Sequence, residues 1–356
     1  IIFPYYSVIG GWVVKYFFVF VTGSGHAAAG DSYFTDFISG TFEPIGWFFL
    51  FIAVTAVIVG FGVEQGIEKV SKFMMPILVL LTLFVALYGL TIDGAMNGLS
   101  YYLKPHMADV SAKTILAAMG QLFYSMSLAM GIMITYGSYM KKEDHLESSV
   151  RQIEIFDTGV AFLAGLMIIP AVFAFSGGDS SALQAGPGLM FITLPKVFGN
   201  MKFGNVVGTV FFLLVFFAAL TSAISLMETI VSILRDKLGW TRKGTCVFVT
   251  ILALVMGVPS SLGFGPLNFI SWMGMSVLDI MDFVSNSVLM PIVAFFTCIF
   301  IGFVIKPSTI ADEVKVTDGT FKGEKLFAVM IKWIAPIFLV LILLSSVASA
   351  LGIFTL

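Results

Sequence analysis

Gly120-Gln121-Leu122-Phe123-Tyr124-Ser125-Met126-Ser127-Leu128-Ala129-Met130-Gly131 is the stretch whose reading decides the fold. Its flanks, Ile115 to Met119 and Ile132 to Tyr136, are apolar enough for lipid. Between them stand a glutamine, two serines two residues apart and a glycine at either end. In hydrocarbon every backbone N–H and C=O needs a partner, so a helix breaks only where it faces protein or a water-filled cavity. A break here places carbonyls and hydroxyls at mid-membrane, which suits an ion or a small polar solute. Transport is the first function this sequence raises.

The composition agrees. The chain is 58% hydrophobic and 11% charged, with 37 Phe in 356 residues, more apolar surface than a soluble domain can cover. An all-α, polytopic transmembrane helical bundle is expected, forming a single domain over residues 1–356. The net charge of −2 gives no footprint for nucleic acid. Cys246 and Cys298 both lie in apolar stretches and read as packing residues; no C-x-x-C or Cys/His metal spacing occurs. The sequence begins at Ile1 inside a hydrophobic run, without the basic start and small-residue cleavage site of a signal peptide. It is therefore expected to be a fragment whose N-terminal part is missing.

Windows of about 20 apolar residues can span a bilayer. They fall near 1–22, 44–62, 73–92, 114–140, 153–176, 205–234, 244–262, 276–305 and 327–355, nine spans. Pro4, Pro76, Pro170 and Pro291 sit inside them and mark kinks packed against neighbours. The loops after alternate spans hold thirteen Lys and Arg, and the opposite side holds four, Lys104, Lys113, Lys196 and Lys202. The richer side is expected to be cytoplasmic, which puts the C-terminus outside a multi-pass protein of the cell's inner (plasma) membrane. Two outer loops are long. Residues 23–43 are small and acidic, and the second part of 177–204, from Gly186 to Pro195, is apolar enough for a short helix folded back as a lid.

Several residues are candidates for chemistry, each with a plainer alternative. Ala218, Thr221 and Ser222 share a helical face and form a small hard-oxygen site suited to Na⁺, unless the hydroxyls simply bond back to the carbonyl one turn earlier. Asp157 is a carboxylate inside an apolar span, costly unless paired or ion-bound; the alternative is an interfacial acid. Asp282, beside Asp279 at the start of the eighth span, either gates an outer vestibule or is an interface acid. Tyr5 and Tyr6 need a hydroxyl partner, either another helix or a substrate carboxylate. His26, His106 and His145 are scattered over loops, and no Ser/His/Asp arrangement, P-loop or dinucleotide fingerprint is present. An enzyme or an ATP-driven pump is not indicated.

At these residues the chain resembles the neurotransmitter:sodium symporter family, and within it the bacterial amino-acid transporters with the LeuT fold and its discontinuous helices. The resemblance rests on Gly120 to Ser127 running into Ile134-Thr135-Tyr136-Gly137-Ser138-Tyr139, and on Phe191-Ile192-Thr193-Leu194-Pro195 and Phe217-Ala218-Ala219-Leu220-Thr221-Ser222. Met281-Asp282-Phe283 and Pro4-Tyr5-Tyr6 with Trp12 complete it. It covers essentially the whole chain and makes the nine spans equivalent to the family's third to eleventh. The first two helices are then the part missing, including the broken first helix that contributes to the substrate site and both sodium sites.

The resemblance implies a role for each matching residue. Tyr6 contacts the substrate carboxylate, and Tyr124 closes over the substrate from outside. Ser125 ligates the first sodium, and Ser127 and Met130, with Ser225 and Leu226, line the side-chain pocket. Ala218, Thr221 and Ser222 form the second sodium site, and Asp282 is the outer-gate acid. Gly165 stands where many relatives place an Asn that ligates the first sodium, and Ala161 where chloride-dependent relatives carry Ser. Asp157, eight residues before Gly165, is therefore expected, beyond the resemblance, to supply a carboxylate to that site. The expected function is sodium-coupled import of an amino acid, hydrophobic or aromatic, by alternating access and without a need for chloride. The partners are the amino acid, two sodium ions and the bilayer, with homodimer formation left open. A proton-coupled permease using Asp157, or a membrane protein that binds without transporting, are the rival readings.

Overall fold

The computed structural model describes residues 1–105, 107, 110–179 and 186–352. Among them the regular structure is helical, apart from one isolated bridge between Trp272 and Met275. In chain order the principal helices are α1 (Ile2–Val21), α2 (Glu43–Gly60), α3 (Val63–Gly89), α4 (Ala112–Ser125), α5 (Ile132–Gly137) and α6 (Leu146–Phe175). They continue with α7 (Leu189–Gly199), α8 (Gly204–Leu238), α9 (Arg242–Leu262), α10 (Val277–Ile305), α11 (Pro307–Asp318) and α12 (Glu324–Ala350). Eight of these, α1, α2, α3, α6, α8, α9, α10 and α12, are long and apolar enough to cross a membrane. They correspond to eight of the nine apolar windows. The ninth window, 114–140, is the one that breaks, into α4 and α5. The end of the last window, 353–355, and His106 lie outside the described residues.

Some helices outrun their apolar windows. The sequence places a span at 153–176, but α6 starts at Leu146; a span at 205–234 becomes α8, running to Leu238. Hydropathy marks only the stretch that matches lipid, whereas the hydrogen-bond ladder continues into water through good helix formers such as Glu147, Arg151, Gln152, Arg235 and Lys237.

Wide, π-helical turns recur. They occupy Val63–Glu68, Leu189–Thr193, Phe283–Leu289, Phe300–Ile305 and Met330–Ile334. The last four each end two residues before a proline: Pro195, Pro291, Pro307 and Pro336. Proline has no N–H, and its ring collides with the carbonyl of the preceding turn. Widening that turn moves the carbonyl away and keeps the neighbouring peptide groups paired.

The chain forms two compact units, residues 1–105 with 159–278, and residues 106–158 with 279–356. In the first unit α1 is the central helix, packed against α8, α2 and α9. Its glycines allow this. A Cβ on Gly11 would lie 2.6 Å from the backbone N of Phe48, and one on Gly10 would lie 2.5 Å from the Phe51 ring. Trp12, Tyr16, Phe34, Phe191 and Phe212 form a buried aromatic cluster, with Phe34 stacked on Phe191 at 5.1 Å. The Tyr16 hydroxyl donates to the Phe191 carbonyl at 2.9 Å, so α7 is folded back and anchored in this unit's core. On the same unit, Lys196 pairs with Asp31 in the 23–43 loop, and this ammonium holds the Asp31 carboxyl below the usual carboxylate range.

Two charges inside the spans of this unit, Lys15 and Glu228, have partners. Lys15 on α1 pairs with Glu43 and lies 5.8–6.0 Å from the rings of Tyr33, Phe37 and Trp47. Glu228 on α8 is fully buried and receives both arms of the Arg242 guanidinium, whose Nε donates to the Val59 carbonyl at 2.8 Å. This clamp ties together α8, the first turn of α9 and the end of α2. In the second unit α10 packs on α12 around Ala294, Cys298 and Leu339, with Phe123 of α4 and Ala129 against them. Both cysteines are free and buried, as the packing reading expects.

Removing one partner of a buried ion pair strands the other charge. Arg242→Met should therefore lower stability by about 3–5 kcal/mol, read as a lower melting midpoint in detergent. The double variant Glu228→Gln/Arg242→Met should recover much of that loss. A single variant that melts like the parent would show that the clamp does not hold these helices.

Candidate functional site

The broken helix lies in the second unit. Helix α4 opens with a reciprocal cap, in which the Ser111 hydroxyl accepts the Thr114 N–H at 3.2 Å and Thr114 Oγ1 accepts the Ser111 N–H at 3.3 Å. The ladder ends with the Leu128 N–H reaching back to the Phe123 carbonyl at 3.3 Å, and resumes with Thr135 N–H on Gly131 O at 3.0 Å. Among the described residues no backbone N–H bonds to the carbonyls of residues 125–130. Ser127 and Ala129 take φ of 55° and 61°, and Gly131 takes 80°. This left-handed backbone is unfavourable for residues other than glycine. Two such residues within three positions mark strain of the kind that collects at binding sites.

At the edge of the break, the Ser125 hydroxyl donates to Asp157 Oδ1 at 2.7 Å. Asp157 lies eleven residues into α6, about three turns from its start, and is half-buried. Ser125 Oγ, the Asp157 carboxylate and the carbonyls of the break are all hard oxygen donors with a single formal negative charge. Such a set fits a small monovalent cation. Among the described residues no group of three or more His, Cys, Asp or Glu could hold a transition metal. Tyr124, Ser127 and Met130 are half-buried around the same turn. Asp282, at the end of the first turn and a half of α10, accepts a hydrogen bond from the Asn286 amide, which sits in the wide turn 283–289.

The remaining candidates lie in the first unit. Thr221 is buried on α8 and donates to the carbonyls of Phe217 at 3.0 Å and Ala218 at 3.1 Å; Ser225 donates to the Thr221 carbonyl at 3.0 Å. The back-bonded reading of these hydroxyls is therefore present. It does not compete with a cation site. A hydroxyl that has committed its proton offers only lone pairs, the form a cation needs. Ser222 is exposed and shares a side-chain hydrogen bond with Tyr6 of α1, so Tyr6 finds its partner on a neighbouring helix. Leu226 is buried and Ala218 is half-buried on the same helix.

Two of the interactions above escaped the sequence reading. Glu228 is a lone acid in an apolar run, the same signal that singles out Asp157, and could have been found by it. The Asn286–Asp282 bond depends on i to i+4 spacing across a wide turn, which carries no comparable signal.

An all-α, multi-pass bundle with a helix interrupted at an oxygen-rich turn defines a class of membrane transporters, and comparison with known proteins gives the family. The model of the sodium:neurotransmitter symporter family matches residues 39–353. The chain is 34% identical over 97% of its length to a sodium-dependent transporter of Bacillus subtilis, YhdH, covering 76% of that protein. It is 30% identical over 97% of its length to a sodium-dependent transporter of Haemophilus influenzae, again covering 76% of that protein. Among solved structures, MhsT in complex with L-phenylalanine superposes with a TM-score of 0.85 at 37% identity, covering 97% of this chain and 78% of MhsT. The chain belongs to the sodium:neurotransmitter symporter family. It has the LeuT fold and is a sodium-dependent transporter.

The left-handed turn yields a direct test. A β-branched residue is least tolerant of φ near 60°, so Ala129→Val should destabilise by about 1–3 kcal/mol, whereas Ala129→Gly should be accepted. Melting midpoints of the two variants measure this, and equal midpoints would argue against the turn as described.

Proposed function

We propose that this protein imports a hydrophobic or aromatic amino acid together with sodium, by alternating access and without a need for chloride. The observation that carries the reading is the Ser125–Asp157 hydrogen bond at the open carbonyls of the broken helix. It joins a neutral oxygen ligand to a fixed carboxylate. A carboxylate that is permanently part of the cation site supplies the negative charge that a bound chloride would otherwise contribute. MhsT, a relative crystallised with L-phenylalanine, supports the substrate class. So do Met130 and Leu226, since a thioether adapts its shape to apolar side chains.

In this reading one cotransported sodium is held by Ser125 and Asp157, and a second by the carbonyl of Ala218 with the hydroxyls of Thr221 and Ser222. Tyr6 meets the substrate carboxylate; Ser127, Met130, Ser225 and Leu226 meet its side chain. Tyr124, Asp282 and the 187–199 lid close the outer side before the inner side opens. The coupling requires that sodium and substrate together favour one state over the other, since a ligand shifts an equilibrium only by its differential affinity. The side that carries thirteen Lys and Arg is cytoplasmic.

Uptake of radiolabelled phenylalanine into proteoliposomes tests this. Replacing sodium by choline should abolish uptake, and replacing chloride by gluconate should leave it unchanged. Ser125→Ala and Asp157→Ala should each abolish sodium-dependent uptake while the protein still inserts. Uptake that survives choline and follows an inward proton gradient would replace the reading with a proton-coupled permease. Binding without uptake would point to a non-transporting protein.

A further inference from the structure

Lys332 is a second lysine inside an apolar span, and its surroundings differ from those of Lys15. It lies eight residues past Glu324, about 12 Å along α12, within the wide turn Met330–Ile334. Lys15 has Glu43 and three aromatic rings. Among the described residues no carboxylate forms an ion pair with Lys332, nor with Lys306, Lys322 or Lys325. Lys315 nearby is neutralised by Glu324 at 2.7 Å and by Asp312 at 3.8 Å. An uncompensated ammonium within an apolar span is costly, and such residues are normally paired or reach for the interface.

The neighbouring helix shapes the site. Gly302 of α10 faces the lysine stem, since a Cβ there would stand 3.2 Å from Lys332 Cγ and 3.5 Å from its Cα. One residue further along each helix, Phe303 and Trp333 meet edge to face at 5.9 Å. Both are open to the surroundings, 48% and 60% exposed. An exposed tryptophan is characteristic of the level of lipid headgroups. A cation whose stem is seated in a glycine notch, with an aromatic pair beside it and Lys306 at the end of the same α10 turn, matches one chemistry. That chemistry is a phosphate joined to acyl chains.

We propose that Lys332, with Lys306 and the Phe303–Trp333 pair, binds the phosphate of an anionic phospholipid in the leaflet on the cation-rich side of the membrane. The ammonium reaches outward along its apolar stem to the phosphate, and the aromatic pair lies against the glycerol and upper acyl chains. The lipid thereby supplies the counter-charge that no protein carboxylate provides. The site is confined to α10, the Lys306 that directly follows it, and α12, and does not depend on which solute is carried.

Native mass spectrometry of protein equilibrated with mixed phosphatidylglycerol and phosphatidylcholine tests the proposal. The parent should retain phosphatidylglycerol in preference to phosphatidylcholine. Lys332→Gln should weaken that retention about fivefold, the effect of one cation at an anionic surface, and Lys332→Arg should preserve it. The Arg variant separates loss of the cation from general misfolding. Equal retention by the parent and the Gln variant, or equal retention of the two lipids by the parent, would overturn the proposal. So would displacement of the lipid by inorganic phosphate, which would indicate a site for the free ion.

Discussion

A peptide group left unpaired in hydrocarbon costs several kcal/mol, and this single penalty organises the chain. It keeps the eight spans helical through their apolar windows. Four of the five wide turns lead into a proline, where the backbone would otherwise lose a bond without replacing it. Against that background the interruption at 126–131 stands apart. The carbonyls of 125–130 receive no backbone N–H among the described residues, and the neighbouring Ser125 turns its hydroxyl to a carboxylate. A break tolerated at such cost is one whose groups are required for something other than folding.

Charge obeys the same economy of partners. Glu228 has a two-armed guanidinium, Lys15 has a carboxylate within an aromatic ring of neighbours, and Asp157 has a hydroxyl. The first two are closed: every strong donor or acceptor meets another within the unit. Asp157 is different, because a hydroxyl orients a carboxylate without neutralising it. That difference from the two structural ion pairs is the feature on which the proposed cation site rests. Thr221 and Ser225 add a neutral counterpart, since their protons are committed to the helix backbone.

Much of this was legible from residue order. The apolar windows located every long helix, and the clustered Gly, Gln and Ser of 120–131 located the break, because both follow from the mismatch between polar groups and lipid. The fold-back of 187–199 was visible for the same reason, as an apolar segment too short to span. What remained hidden depends on helical phase and on partners distant in the chain. Arg242 sits beside Glu228 because α9 doubles back along α8, and its Nε finds Val59 on a helix nearly two hundred residues earlier. The left-handed backbone at Ser127 and Ala129 was equally opaque, since neither residue type advertises positive φ as glycine does. At the candidate site, sequence already assigns Ser125 and Asp157 to one sodium site, but the hydrogen bond between them is seen only in the folded chain.

The wide turns have a further consequence for how such a chain changes over generations. Each contains one residue more than an ordinary helical turn would need, so it rotates everything beyond it by about 100° relative to an uninterrupted helix. Loss of a single residue within 283–289 or 330–334 would restore ordinary geometry locally while swinging the rest of α10 or α12 onto a new face. Insertions and deletions, which loops absorb silently, would here act as rotations. Helices of this kind can exchange a lipid-facing surface for a protein-facing one without any substitution along their length.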